Sequence, residues 1–408
     1  MSARHRPDIV AAGILAIAAF SMYSWRAARP SPGSNEKPLG AAVDLLSARG
    51  GHDDAGRFLP LLVRIAPDEW LPPVPPYATM AITKIAGPAQ PARRATALFA
   101  ACGLVLMYYV AAAVFGRRWL GWMAALLLLC TPAFVLSARQ GSLDGMWVIP
   151  PLLLSLAGVA KFAANGSQRW LAIAAAAVAS CVYAQPSGAL VAVIVGAAEA
   201  IGLARARLLT VREALRAGGV VAGVMMPLAL WLATHPASYA DTFGRWLLHP
   251  AYIRNPWSLV IRLTNWFSLS EWASIYWNFF DPTKLLYSAT TPAAAGTFLM
   301  PLGVFLAIAM YDLARSSDAR TPPESVLLWI AALGFVASPL VPASFSEPGA
   351  IHKALSLTIF GMVLGTHGVR VAWARPWGRT AAVLLLALAC VQFVAFYRSV
   401  IVVSTGAS

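Results

Sequence analysis

The sequence predicts an all-α polytopic membrane protein, with about eleven transmembrane helices and two long extracytoplasmic loops. Its 408 residues are 59% hydrophobic and only 12% charged, whereas soluble globular proteins contain about 25% charged residues. So few charges cannot cover the surface of a water-soluble globule of this length. The composition therefore excludes an intrinsically disordered chain, a disulfide-stapled scaffold and a cytosolic enzyme.

Eleven apolar stretches approach the length of about 20 residues that a helix needs to cross the hydrocarbon core. They lie at residues 9–25, 95–115, 119–137, 145–164, 170–184, 187–203, 216–233, 293–313, 325–342, 354–372 and 380–397. The two stretches on either side of Tyr183–Pro186 are among the shortest. All four cysteines fall within these stretches, and their spacing gives no metal-ligand pattern.

The distribution of Lys and Arg predicts a multi-pass protein of the cell (inner) membrane with a cytoplasmic N-terminus. In that orientation the cytoplasmic connections hold fifteen Lys and Arg residues, and the short outer segments hold three, Arg139, Lys353 and Arg398. Cytoplasmic loops typically carry such an excess. The net charge of +14 is therefore mainly a topology signal. It indicates membrane lipids as partners and no nucleic acid.

Both long loops, residues 27–94 and 234–292, fall on the outer side. The second is rich in Trp and Tyr, which is typical of segments that lie at the lipid headgroups. Such a segment is either an interfacial anchor or a platform beside a lipid-linked substrate.

Within the first loop we expect a short helix over residues 38–48, with Pro38 at its start and glycines just beyond its end. We expect an extended backbone over residues 72–76, because four of these five residues are proline. In the membrane, Gly219–Gly223 and Gly361–Gly365 fit the GxxxG pattern of close helix packing.

Four blocks of sequence carry a family resemblance. They are His52-Asp53-Asp54-Ala55-Gly56-Arg57-Phe58-Leu59-Pro60-Leu61, Pro72-Pro73-Val74-Pro75-Pro76-Tyr77, Arg93-Arg94-Ala95-Thr96-Ala97-Leu98-Phe99, and the segment from Thr131-Pro132 through Ser137-Ala138-Arg139-Gln140 to Asp144. In this order they resemble the GT-C superfamily of membrane glycosyltransferases, of the protein O-mannosyltransferase and lipid A aminoarabinose transferase type (glycosyltransferase family 39). Weaker similarity follows at 183–186, 278–286 and 339–355.

The resemblance implies a GT-C-like transmembrane catalytic core over residues 1–372, which includes both outer loops. Residues 373–408 would form a C-terminal transmembrane helix and a short tail. The implied reaction is transfer of a sugar from a polyprenyl-phosphate donor to an envelope lipid, glycan or protein acceptor on the extracytoplasmic face. A single base on one side of the sugar and the phosphate on the other predict inversion at the sugar carbon.

The family uses the Asp of an Asp-Glu pair in the first outer loop as general base. By spacing, that pair corresponds to Asn35-Glu36, so this chain keeps the Glu and has Asn in place of the Asp. An Asn side chain cannot accept the proton of an acceptor hydroxyl or amine.

The reaction needs a carboxylate for the acceptor proton and a cation for the departing phosphate. The candidate catalytic acids are Glu36, Asp53, Asp54 and Asp144. The candidate phosphate-binding residues are Arg57, Arg94, Arg139, His352 and Lys353; Lys84 and Arg93 also lie at outer span ends.

Structural alternatives stay open for these residues. Each loop acid could be a solvated charge, and Asp144 could complement a helix dipole. Arg139 and Lys353 could extend to lipid headgroups. No cofactor is certain, and the only candidate is a divalent cation bound by His52, Asp53 and Asp54.

The leading hypothesis is therefore an inverting, polyprenyl-phosphate-dependent membrane glycosyltransferase. Asn35 favours an alternative, a catalytically inactive GT-C-like subunit or lipid-binding membrane protein. A transporter or flippase is less favoured, because ionisable residues are scarce at the centres of the predicted spans and transport paths usually need them.

Overall fold

A computed structural model describes most of the chain as a bundle of helices. The described residues are 6–25, 36–53, 55–66, 69–143, 145–236, 238, 265–287, 296–315, 320–344 and 352–405. Three residues discussed above, Asn35, Asp54 and Asp144, lie outside these ranges.

The described residues from 6 to 236 contain ten α-helices and one small sheet. The elements are α1 (Arg6–Ser24), α2 (Lys37–Ala48), β1 (Val63–Ala66), β2 (Glu69–Leu71), α3 (Val74–Ala86), α4 (Pro91–Phe115), α5 (Arg118–Leu129), α6 (Pro132–Arg139), α7 (Ile149–Asn165), α8 (Gln168–Ser180), α9 (Gly188–Arg205) and α10 (Val211–Thr234). Strands β1 and β2 pair antiparallel, with Val63 opposite Leu71 and Arg64 opposite Trp70.

The described part of the second half is helical. Its elements are α11 (Trp266–Asn278), α12 (Pro282–Leu285), α13 (Met300–Arg315), α14 (Pro322–Ala337), α15 (Leu340–Ser344), α16 (Leu355–Trp373) and α17 (Pro376–Thr405).

Local sequence signals explain where several helices begin and end. Proline occupies the first turn of α4, α7 and α14, where the missing N–H costs no helical hydrogen bond. Gly116 and Gly166 end α4 and α7 in the left-handed conformation, as C-terminal glycines commonly do. At the start of α10, Thr210 and Glu213 form a reciprocal capping box, which satisfies two free backbone N–H groups.

Two helices form the centre of the bundle. Helix α4 packs against α1, α3, α5 and α7, and α16 packs against α5, α13, α14 and α17. Nearly every residue of α16 is buried. By contrast, no residue of α10 is buried, so its apolar side chains are left to contact lipid.

These helices confirm the predicted all-α polytopic membrane class, but the count of eleven spans is not confirmed. A helix forms within each of the eleven predicted stretches. In the described part of the chain, seven helical segments are long and apolar enough to cross a membrane, or eight if the bent pair α5–α6 is one span. Helix α8 is too short because it ends at Ser180 and continues as a 3₁₀ turn over Cys181–Tyr183.

The prediction for the proline-rich segment is partly wrong. The helix expected over residues 38–48 is present as α2, but residues 74–76 are helical rather than extended, because α3 begins at Val74. Pro75 and Pro76 occupy the first turn of α3, where no backbone N–H is needed and the fixed proline φ already suits a helix.

Only one of the two GxxxG patterns forms a close helix contact. A Cβ atom added to Gly361 would lie 2.5 Å from the ring of Phe298, and one added to Gly365 would lie 3.1 Å from Leu302. Around Gly219 and Gly223 there is open space. The pattern in α16 therefore fits Phe298 and α13 closely against the central helix.

The difference between these glycines predicts unequal effects of the same substitution. Gly361→Leu should lower the free energy of unfolding by about 1–3 kcal/mol, because the added side chain overpacks the contact with Phe298. The matched Gly223→Leu variant should leave stability unchanged or slightly raised, since leucine favours a helix more than glycine does. Thermal unfolding of the purified chain in detergent measures both, and equal melting temperatures for the two variants would contradict the packing.

Candidate functional site

The acid predicted to be part of the family pair lies in a buried ion pair. Glu36 accepts hydrogen bonds from the Arg93 Nε at 3.1 Å to each of its carboxylate oxygens, and the Arg93 Nη2 lies 3.0 Å from Oε2. The backbone N–H of Gly141 donates to the Glu36 Oε1 at 3.2 Å. This network joins the start of α2, the first turn of α4 and the chain that follows α6.

Several parts of the chain converge on the loop 141–145, of which the structure describes residues 141–143 and 145. A Cβ added to Gly141 would lie 2.8 Å from Ala92, so the loop backbone is pressed against the first turn of α4. At its other end Gly145 has φ +91°, and a Cβ there would overlap the carbonyl of His352. Glycine is needed at this position both for its conformation and for the close approach.

The same loop contacts the 183–186 segment, which carries a weaker family similarity, and the segment that contains the predicted cation Lys353. The Gly145 N–H donates to the Gln185 Oε1 at 2.6 Å, and the Gln185 Nε2 donates to the Ser187 hydroxyl at 2.7 Å. Next to His352, the Lys353 side chain is buried, with only 3% of the residue exposed. Glu36 and the His352-Lys353 segment therefore contact opposite ends of one five-residue loop.

Asp53 lies at the neck of a tight hairpin formed by the first family block. His52 and Phe58 pair as an antiparallel bridge, and the Asp53 Oδ1 accepts from the backbone N–H groups of Ala55 and Arg57, each at 2.9 Å. The Arg57 Nε and Nη2 both reach the Asp53 Oδ2 at 2.7 Å. The carboxylate fixes the turn as an Asx turn does.

Hydrogen bonding keeps Asp53 ionised. Burial acts to raise its pKa, but the Arg57 backbone N–H, the Arg57 guanidinium and the Ala55 N–H stabilise the carboxylate more strongly. The net effect is a pKa below the ordinary value. Since both oxygens already have donors, Asp53 is built to hold the hairpin.

Arg57 connects this hairpin to the end of α10. Its Nη1 donates to the Nε2 of His235, and its guanidinium lies over the Trp231 ring at 4.8 Å. Trp231 stacks on the His235 ring, with 4.4 Å between the ring centroids. It also meets Trp70 edge-to-face, with 6.3 Å between the centroids. A cation held over aromatic faces in this way is stabilised by cation–π attraction.

The remaining predicted residues lie elsewhere. Arg94 is half-buried and its Nη1 donates to the Ala86 carbonyl at 2.6 Å. Arg139 is buried, and its Nη1 donates to the carbonyls of Met22 and Tyr23 at 3.2 and 3.4 Å. It therefore satisfies carbonyls at the C-terminal end of α1, as cations there commonly do. The roles predicted for Asp54 and Asp144 fall outside the described residues.

Three side chains of this region were not assigned by sequence reasoning. Arg93 is named from the sequence only as a cation at an outer span end, and its pairing with Glu36 is not predicted. Gln185 lay in a segment of weak family similarity. His235 lies at the end of α10 with no neighbouring pattern that could have pointed to it.

The residues proposed for a divalent cation do not form a binding cluster. The described part of the chain contains no group of three His, Cys, Asp or Glu side chains close enough to hold a metal ion. The Asp53 oxygens are occupied as above, and the His52 Nδ1 lies 3.0 Å from the Arg49 carbonyl. As arranged here, His52 and Asp53 do not fit a cation.

Three solved structures share this fold. ArnT from Cupriavidus metallidurans bound to undecaprenyl phosphate gives a TM-score of 0.61 at 15% identity, over 94% of this chain and 63% of that chain. The archaeal oligosaccharyltransferase AglB from Archaeoglobus fulgidus, in complex with an inhibitory peptide and a dolichol-phosphate, gives a TM-score of 0.57 at 14% identity. The match covers 97% of this chain and 56% of that chain. The Archaeoglobus fulgidus oligosaccharyltransferase in complex with Zn and sulfate gives a TM-score of 0.59 at 14% identity, over 95% of this chain and 52% of that chain.

The chain thus spans less than two thirds of the length of each of these structures. No protein-family model matches the sequence, and no curated protein matches it. The likeness is one of fold, and it agrees with the all-α membrane architecture that the sequence predicted.

The ionised state of Asp53 predicts a pH-dependent stability. Asp53→Asn keeps an oxygen for the turn but loses the charge, and should lower the free energy of unfolding at pH 7 by about 1–3 kcal/mol. Because the folded pKa lies below the ordinary value of 3.8, this stabilisation is present above that pH and is lost as pH falls through the folded pKa. Thermal unfolding at pH 7 and at pH 3 measures the difference.

The control is Asp44→Asn, which changes an exposed acid of α2 and should leave the melting temperature unchanged at both pH values. If Asp53→Asn matched the wild type at pH 7, the hairpin would not depend on this carboxylate.

Proposed function

We propose that this chain is a membrane glycosyltransferase that transfers a sugar from a polyprenyl-phosphate donor to an acceptor at the outer face. The observation that carries the proposal is the loop 141–145, which joins a buried carboxylate–arginine pair to a buried lysine segment at one end of the bundle. The fold supports the donor class, since one structural neighbour is bound to undecaprenyl phosphate and another is in complex with a dolichol-phosphate.

Among the described acids, Glu36 is the best candidate for the general base. Its side chain is 11% exposed, whereas that of Asp53 is 1% exposed. The Glu36 carboxylate lies beside Arg93 and the Gly141 N–H, and a carboxylate can act as a general base. Asp53 is better suited as a positioning residue, because it acts through Arg57 and the hairpin.

The proposed reaction needs no general acid. Glu36 accepts the proton of the acceptor hydroxyl or amine, and the acceptor atom forms a bond to the sugar carbon as the bond from that carbon to the phosphate oxygen breaks. The departing polyprenyl phosphate is anionic, and Lys353 neutralises it as a point charge. Attack opposite the leaving group inverts the sugar carbon.

The alternative is a GT-C-like protein that binds the lipid donor without catalysis. Asn35 supports it, because the family resemblance implies an Asp at that position. The two hypotheses share donor binding and differ in whether an acceptor gains sugar.

Turnover of labelled polyprenyl-phosphate sugars by the chain in lipid vesicles tests the proposal. Glu36→Gln should reduce sugar transfer by at least about 100-fold, since general-base catalysis contributes about that much. Lys353→Met should weaken donor binding as well as transfer, because the phosphate loses its counter-charge.

Matched controls come from exposed residues of the same outer region. Asp44→Asn and Lys84→Met, both exposed, should retain transfer within about twofold, as surface changes usually do. A wild-type chain that binds donor but never labels an acceptor fraction would establish the non-catalytic alternative. Full activity of Glu36→Gln would remove Glu36 from the catalytic step.

A further inference from the structure

A second candidate binding region lies at the end of the bundle opposite the candidate site. Helix α4 begins at the Glu36–Arg93 pair and runs 25 residues, and α16 begins just after Lys353 and runs 19 residues. At 1.5 Å per residue these helices cross roughly 30–37 Å. Their far ends, together with the starts of α14 and α17, surround a cavity of about 530 Å³.

The cavity is strongly basic. Five arginines line it, together with one acid, Asp312; the arginines are Arg117, Arg320, Arg370, Arg375 and Arg379. This volume lies within the range of small-molecule sites, about 300–1,000 Å³. The sequence predicts that this end faces the cytoplasm.

Nearby acids compensate only part of this charge. Asp312 accepts from the Arg320 Nη2 at 2.8 Å and also from the Nε2 of His367 at 2.9 Å. Arg370 pairs with Glu324, with its Nη1 2.9 Å from the Glu324 Oε2. The carboxylates that the structure describes at this end are thus already engaged.

Three of the arginines have no such partner. Among the described residues, no carboxylate lies within ion-pair distance of Arg117, Arg375 or Arg379, and all three are exposed at the cavity. Cations gathered in a cavity with low-dielectric walls focus a positive potential and attract an anion.

An apolar groove continues from this cavity. A second cavity of about 790 Å³ shares Asp312, Val371 and Arg375 with the first and extends between α13, α16 and α17, along Ile308, Ala381 and Leu385. The groove thus runs from the basic cavity into the membrane-spanning part of the bundle. Trp377 also lines it, and tryptophan is typical of headgroup depth.

We propose that this end of the bundle binds an anionic phospholipid. Its phosphate would lie among Arg117, Arg375 and Arg379, and an acyl chain would lie in the groove between α13 and α17. A soluble phosphate would satisfy the arginines but would leave the apolar groove exposed, so the continuity of the two cavities favours a lipid. The inference is independent of the proposed catalysis, because it uses none of the same residues.

Native mass spectrometry of the purified full chain, released from detergent, tests this inference with three probes. These are dioleoyl phosphatidylglycerol, dioleoyl phosphatidylcholine and glycerol 3-phosphate. We expect the chain to retain phosphatidylglycerol in preference to phosphatidylcholine. The triple variant R117Q/R375Q/R379Q should reduce the apparent affinity for phosphatidylglycerol by about tenfold or more, since each cation near an anionic surface contributes appreciably.

Two further variants separate charge from folding and from position. The Arg→Lys triple at the same positions keeps the charge and should keep most of the preference. The matched triple R169Q/R212Q/R216Q removes exposed arginines at the same end, on α8 and α10, and should bind phosphatidylglycerol as the wild type does. Equal retention of the two lipids by the wild type, or an unchanged preference in R117Q/R375Q/R379Q, would overturn the proposal. Displacement of phosphatidylglycerol by glycerol 3-phosphate alone would identify a soluble phosphate ligand instead.

Discussion

The candidate site depends on one buried interaction, the ion pair between Glu36 and Arg93. Breaking such a pair from one side costs about 3–5 kcal/mol, because the remaining charge stays buried without its partner. The pair also decides where the 141–145 loop lies, since the Gly141 N–H bonds to the same carboxylate. This ion pair in the first turn of α4 therefore links the first outer loop, helix α4 and the 141–145 loop, which also contacts His352.

The membrane bundle and the outer loops have different roles around this pair. Helices α4 and α16 are buried and closely packed, so they supply a rigid frame at whose end the functional side chains converge. The hairpin at Asp53 attaches the long outer loop to the end of α10, through the contacts of Arg57 with Trp231 and His235. Loops supported by a rigid scaffold commonly carry binding residues. The helices themselves satisfy the backbone hydrogen bonds that the membrane interior requires.

Much of the fold could be predicted from the sequence, because apolar length is a direct consequence of the bilayer. The start of α3 could not, since a run of prolines is equally compatible with an extended segment and with the first turn of a helix. The choice of Arg93 rather than Arg94 depends on about 100° of helix rotation, which only the packing of α4 determines. The partners of Arg139 could not be predicted either, because they are carbonyls of α1 that lie more than a hundred residues away in the sequence.

The proposed function requires the Glu36–Arg93 pair to hold the candidate site together. A double-mutant cycle with Glu36→Gln, Arg93→Gln and the double variant, read out as binding of undecaprenyl phosphate to the purified chain, measures this. If the pair acts as a unit, Arg93→Gln alone weakens binding nearly as much as the double variant does, whereas the neighbouring Arg94→Gln has no effect. Additive losses from the two single changes, or binding that none of them alters, would contradict the account.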